Sequence, residues 1–155
     1  MRPITMQIWV DADACPQPIK DILFRAAARA QVLTTLIANT PLRVPASPFI
    51  RSVRVAKGFD VADHFIVKEV QPGDLVVTAD IPLAARVIER GAQALDPRGE
   101  LYSEDNVHDR LALRNLMQGL RSTGDILGGP APLTQNDRKR FANHLDRLLG
   151  PHRAP

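Results

Sequence analysis

Asp11 and Asp13 stand one residue apart directly after the apolar run Ile8-Trp9-Val10, and Asp80 follows Leu75-Val76-Val77-Thr78-Ala79 in the same manner. Such runs read as buried strands. Strands ending in aspartate deliver carboxylates to one rim of a sheet, where open α/β proteins bind their ligands. If both runs lie in one parallel sheet, Asp11, Asp13 and Asp80 meet at the same edge. Asp63 joins them if the helix that begins near Asp60 leans over that edge, with Asp60 a weaker addition. Carboxylates crowded together repel strongly unless a cation or a proton intervenes. Hard oxygen donors suit Mg²⁺ or Mn²⁺, which keep positions open for water and phosphate oxygens. An ion so held activates a water and neutralises charge developing on a phosphodiester. Asp11, Asp13, Asp63 and Asp80 are therefore the candidate catalytic and metal-ligating residues. A plainer role competes at two of them: Asp13 and Asp80 precede Pro16 and Pro82 and can cap the helices those prolines open. Asp11 ends its strand too early to cap.

Asn39 and Thr78 end strands and can hydrogen-bond a water or a phosphate, although turn and strand roles explain them equally well. Positive charge gathers in two stretches. From Ala38 to Phe59 the chain carries Arg43, Arg51, Arg54 and Lys57 and no acid; from Thr134 onward Arg138, Lys139, Arg140, Arg147 and Arg153 outnumber Asp137 and Asp146. Basic stretches beside an acidic cluster suit a phosphate-rich ligand held through a metal, and suit a solvated surface as well. Arg110 and Arg114 lie one helical turn apart and can face phosphate or form surface salt bridges. The candidate substrate-binding set is thus Asn39, Thr78, Arg43, Arg51, Arg54, Lys57 and Arg114. Cys15 reads as a small packed thiol, because its acidic neighbours disfavour a thiolate, and His64 as a surface histidine.

The elements that must position these groups follow from periodicity. A strand over about Gln7–Val10 leads into a helix opened by Pro16, with Ile19, Ile22, Leu23 and Ala26 as its apolar stripe, and then a second strand over Val32–Ala38. Strand, helix, strand at this spacing is a βαβ unit with parallel strands. Asn39–Ser52, broken by Pro41, Pro45 and Pro48, reads as a long loop of the kind that carries function. A short strand over Ser52–Ala56 and a helix capped by Asp60 follow, with Ala62, Phe65, Ile66 and Val70 turned inward. The strand at Leu75–Thr78, a helix over Pro82–Arg90 with Leu83, Ala84, Val87 and Ile88 on one face, and a last strand at Ala92–Leu95 complete the alternation. Beyond the turn Asp96-Pro97-Arg98-Gly99 the pattern is helical. Asp105–Arg121 carries Leu113, Leu116, Met117 and Leu120 as its expected buried stripe. After a Gly-Pro link, a helix capped at Thr134 is fastened by Phe141, Leu145, Leu148 and Leu149. The fold class is α/β: a three-layer parallel sheet flanked by helices, with a helical C-terminal extension.

At 155 residues the expected organisation is one domain over 6–150, helical from about 104, with a tail at 151–155. No apolar run reaches the roughly 18 residues of a membrane span, the first residues lack an apolar h-region, and a single cysteine excludes a disulfide framework and a Cys-rich zinc site. The expectation is a cytoplasmic protein without a membrane partner.

Four separated motifs now occur in order: Trp9-Val10-Asp11-Ala12-Asp13-Ala14-Cys15-Pro16, Gly58-Phe59-Asp60-Val61-Ala62-Asp63, the run from Gly73 to Ala84, and Gly128-Gly129-Pro130. In these the chain resembles the YaiI/YqxD family of uncharacterised bacterial proteins, from about Met6 to Leu149. That family is similar to PIN-like domains, a fold associated with Mg²⁺- or Mn²⁺-dependent ribonucleases. The resemblance implies a metal-dependent ribonuclease-like site in which Asp11, Asp63 and Asp80 match acids of the PIN-like pattern and Asp13 is an added one. Many PIN nucleases carry a glutamate on a central helix, where this chain offers Asp60 and Asp63. The expected function is a metal-dependent endoribonuclease or RNA-processing phosphodiesterase. The alternatives are a non-catalytic RNA-binding or regulatory module of the same fold, and a haloacid-dehalogenase-type phosphatase with Asp11 as nucleophile and Asp13 as acid.

Overall fold

β1 (Ile8–Asp11) is buried on both faces, because it pairs in parallel with β2 (Thr34–Ala38) on one side and β4 (Leu75–Val77) on the other. The computed structural model describes residues 6–58, 60–122 and 132–150; Phe59, Gly128-Gly129-Pro130 and the expected tail at 151–155 lie outside them. β3 (Ile50–Arg54) adds in parallel outside β2, β5 (Gln93–Leu95) outside β4, and β6 (Leu101–Tyr102) ends the sheet antiparallel. The six-strand order is β3-β2-β1-β4-β5-β6. The chain therefore leaves β1 toward β2 and β3 and returns to place β4 on its other side. That reversal opens a crevice beyond the carboxyl ends of β1 and β4.

Alternation along β1 separates two cores. Ile8 and Val10 join α1 (Gln17–Ala30) and α5 (Gln135–Leu149) through Ile19, Leu23, Phe141, Leu145 and Leu149. Trp9 joins α2 (Val61–Glu69) and α3 (Ile81–Glu89) through Ile66, Leu83 and Val87. Each fully buried side chain of this size contributes about 1.5–3 kcal/mol. Trp9 meets Phe65 edge-on at 6.5 Å. Its indole nitrogen donates to Asp74 at 2.9 Å, so a ring buried at the centre of the sheet keeps its polar atom satisfied.

The helical ends are mostly set by local chemistry. Pro16 holds the N-cap position of α1 and Pro18 its first turn, where a missing N–H is harmless. A 3-10 turn, Ala12–Ala14, intervenes between β1 and that helix. α5 starts with a reciprocal capping box between Thr134 and Asp137. The backbone N–H of Thr134, its hydroxyl and the cations Arg98 and Arg140 hold the Asp137 carboxyl below the usual carboxylate range. The turn at Asp96–Gly99 presses on α5 so closely that a Cβ on Gly99, whose φ is +95°, would stand 2.7 Å from Arg140 Cβ and Phe141 N.

Four expectations are corrected. β3 runs Ile50–Arg54 rather than Ser52–Ala56, so the proline-rich loop is shorter than read. β6, a two-residue antiparallel strand, was not expected in a parallel sheet and is too short to leave a period. Asp60 occupies the N-cap position of α2 without capping it: its backbone is left-handed at φ +65° and its side chain makes no cap hydrogen bond. The stripe expected on α4 (Glu104–Ser122) is not buried where it is described: Leu113 is 51% and Leu116 61% exposed and Met117 is partly buried, the Leu120 side chain lies outside the described residues, and among those described Val107 is the one α4 buries. Among the described residues no helix is long and apolar enough to cross a membrane.

Candidate functional site

The carboxyl ends of β1 and β4 and the start of α2 form a cleft of about 290 Å³ lined by Asp11, Asp13, Asp60, Asp63 and Asp80, with Asn39, Gly58 and the apolar Val55, Val61 and Ala62. β1 delivers Asp11 as its last residue, on the same face as Trp9. Thr78, which follows β4, donates its hydroxyl to Asp11 Oδ2 at 3.0 Å and accepts the backbone N–H of Asp80 at 2.9 Å. One hydroxyl thus fixes two of the acids. Asp80 also caps α3, accepting from Leu83 N at 3.0 Å. The capping role and the place in the cleft, alternatives in the sequence, coexist in this residue.

Asp63 enters from the first turn of α2 and stands against the carboxyl of Asp80 in the cleft. Its surroundings push it up to about 7, first through burial and then through the charges of Asp80, Asp11 and Asp60. Burial also raises Asp11; the Thr78 hydroxyl opposes that rise, and Asp80 and Asp13 add to it. Asp60 reaches the cleft through its left-handed backbone, a conformation that costs a non-glycine residue about 1 kcal/mol. Gly58 precedes it at φ +151°, where a Cβ would lie 3.0 Å from Val61. That turn delivers α2 and its acids to the rim.

Asp13 differs from the rest. It is exposed, and both oxygens are engaged: Asn39 N–H donates at 2.8 Å and the Thr40 hydroxyl at 3.2 Å. Its carboxylate ties the end of β2 to the turn after β1. Thr40 was not singled out in the sequence, and only its position one residue after Asn39 would have suggested it.

The basic candidates lie elsewhere. Arg43, Arg51, Arg54, Lys57 and Arg114 do not line the cleft. Arg51 donates to Thr35 at 2.9 Å, and Arg54 ends β3. Lys57 sits between two cleft-lining residues, Ala56 and Gly58. Arg114 lines a separate groove with Ile81, the residue after Asp80. Cys15 is buried and its thiol is pushed up to about 12, by burial above all, with Asp11 and Asp96 adding to the rise. It is the packed thiol its neighbours imply. His64 is exposed.

Every charged side chain among the described residues lining the cleft is an acid. The donor set is hard oxygen from three elements, which is the chemistry a divalent cation takes. Among the described residues no group of three or more His, Cys, Asp or Glu side chains is already placed to hold a metal ion.

Residues 9–151 match the family model described as "Uncharacterized BCR, YaiI/YqxD family". The chain is 62% identical to a UPF0178 protein of Aeromonas hydrophila over 144 residues, covering 93% of this chain and 96% of that one. It is 63% identical to a UPF0178 protein of Shewanella amazonensis, with 93% and 97% covered. It is also 57% identical to one from Pectobacterium carotovorum over 150 residues, with 97% and 100% covered. No solved structure matches. The acidic cleft is therefore carried by an α/β chain that belongs to the uncharacterised YaiI/YqxD family.

Proposed function

We propose that the chain is a divalent-cation-dependent phosphodiesterase acting on RNA, an endoribonuclease or RNA-processing enzyme of PIN-like type and cytoplasmic location. The observation that carries this reading is the convergence of Asp11, Asp63 and Asp80 from three elements with no cation lining the cleft beside them. Their mutual repulsion is a standing cost that a bound cation removes. Asp11, Asp63 and Asp80 would hold Mg²⁺ or Mn²⁺, with Asp60 at the margin. Asp13, whose oxygens are engaged by Asn39 and Thr40, would position the rim. Such an ion supplies Lewis acidity toward a phosphoryl oxygen and a water. Thr78 keeps Asp11 oriented, and Lys57, beside the cleft wall, approaches the substrate backbone.

A second reading, an RNA-binding module without turnover, is favoured by a different observation. Arg25, Arg138 and Lys139, outnumbering the one acid Asp21, line a groove of about 410 Å³ between α1 and α5 that shares no residue with the acidic cleft. Phosphate backbone held there needs no metal.

Calorimetric titration of Mn²⁺ and Mg²⁺ into the wild type, Asp11→Asn and Asp80→Asn, followed by a labelled single-stranded RNA assay on the same samples, decides between them. Metal binding lost in both variants, with metal-dependent cleavage by the wild type alone, is the expected result. A wild type that binds no metal returns these aspartates to capping and rim packing. Metal binding without cleavage leaves the second reading.

A further inference from the structure

The groove beside the acidic cleft is built differently from it. It holds about 290 Å³ between the start of α3 and the middle of α4, and is lined by Ile81, Arg110, Leu113, Arg114, Met117 and Gln118. Ile81 directly follows Asp80, so groove and cleft share the first turn of α3. Leu113 is half-exposed on this surface and Leu116 lies beside it one turn along, an apolar face that α4 does not bury. The rim of the groove is polar and cationic. Arg110 pairs with Glu100 at 2.6 Å through its terminal nitrogen, while its buried Nε makes no hydrogen bond. Arg114 is exposed on the same helix face, one turn further.

We propose that this groove is a nucleobase-binding subsite, seating an unstacked nucleotide of a single-stranded chain whose neighbouring phosphate lies at the acidic cleft. This rests on the nucleic-acid reading above and adds the part of the substrate that is recognised. A nucleobase has apolar faces, which Ile81, Leu113 and Met117 match, and a polar edge with an attached phosphate, which the two arginines match. Two alternatives fit less well. A stable protein partner needs about 800 Å² on each side, far more than this groove offers. Duplex nucleic acid cannot fill the groove, because its bases are stacked and paired. The subsite therefore selects single strands.

The test uses the full chain, a short dye-labelled oligouridylate or oligoadenylate, the matching duplex, and free AMP. Binding is read by anisotropy and by amide chemical shifts, with and without Mn²⁺. Single strands should bind about tenfold more tightly than duplex. AMP should shift the amides around Ile81 and Leu113. Leu113→Ser and Arg114→Ala, both at exposed positions, should each weaken single-strand binding about fivefold or more while leaving Mn²⁺ affinity unchanged. Undiminished binding by both variants overturns the subsite, as does equal affinity for duplex. A wild-type dimer that Leu113→Ser dissociates overturns it too, by making the groove a self-interface. The two readings fail separately. Groove-dependent binding without cleavage in any divalent ion removes the nuclease and keeps the subsite; Asp80-dependent cleavage with an unchanged KM in Leu113→Ser removes the subsite and keeps the nuclease.

Discussion

Asp74 and Asp80 bracket β4, and their carboxylates live in opposite surroundings. Asp74, buried before the strand, receives three N–H donors: the backbones of Gln7 and Gln71 and the indole of Trp9. Asp80, beyond the strand, gives one oxygen to the start of α3 and meets the carboxyl of Asp63, with Asp11 close by. Burial alone does not separate a structural acid from a functional one. The kind of partner does. A carboxylate surrounded by donors closes a fold, whereas one held against other carboxylates stores repulsion that a ligand of opposite charge relieves.

The sharpest way to break this contrast is Asp74→Ala. It strands the Gln7, Gln71 and Trp9 donors inside the protein and is expected to cost about 3 kcal/mol or more. A loss below about 1 kcal/mol in chemical denaturation would show that Asp74 is no keystone. Thr78→Val keeps the shape of the side chain but removes both the donor to Asp11 and the acceptor for Asp80 N–H, with an expected cost of about 1–2 kcal/mol. NMR titration should also find the Asp11 carboxyl higher still, since the lost hydrogen bond is the one that lowers it.

Asp63→Asn should have the smallest effect and the opposite sign. Burial and the neighbouring acids push Asp63 up to about 7 in the folded chain, above the ordinary carboxylate range, so the folded chain binds this proton more tightly than the unfolded chain does. The associated destabilisation is absent below the unfolded value and grows as pH rises from about 4 to about 7. Asp63→Asn should remove that decline and raise stability at neutral pH. Because the group is half-exposed, solvent screening holds the gain to about 1 kcal/mol. Thermal melts across this pH range check it, and a wild type whose stability is flat or rising there would contradict the crowding of acids at the cleft.

The legible parts of this chain are those where a residue's role is decided within a few positions. Asp80 before Pro82, Thr134 before Asp137, and the stripe Leu83, Ala84, Val87 and Ile88 each declare themselves locally, and the structure has them as read. The meeting of Asp11, Asp63 and Asp80 was readable because parallel strands share a carboxyl edge. α4 was misread because periodicity shows that a helix has an apolar face without showing what stands opposite: Leu113 and Leu116 have the spacing of core residues, yet both are exposed and Leu113 lines a groove. Asp60 was misread because its backbone is left-handed, a conformation that residue type does not announce, and its side chain makes no cap hydrogen bond there. The basic loop shows the same limit of reading along the chain. A count of charges along the chain does not say that Arg51 turns onto Thr35 and away from the acids.

β3 is the outermost strand on its side of the sheet, with Arg51, Ser52 and Arg54 exposed along it. A parallel edge of this kind is a template on which another chain's strand can add, the first step of fibrillar aggregation. Here the edge carries two guanidinium groups, and the loop leading into it contains Pro41, Pro45 and Pro48, which have no N–H to contribute to a growing ladder. Two molecules meeting edge to edge would bring like charges together before any backbone pairing could form. Arg51 and Arg54, which do not line the acidic cleft, thus place like charge along the open edge where such pairing would have to begin.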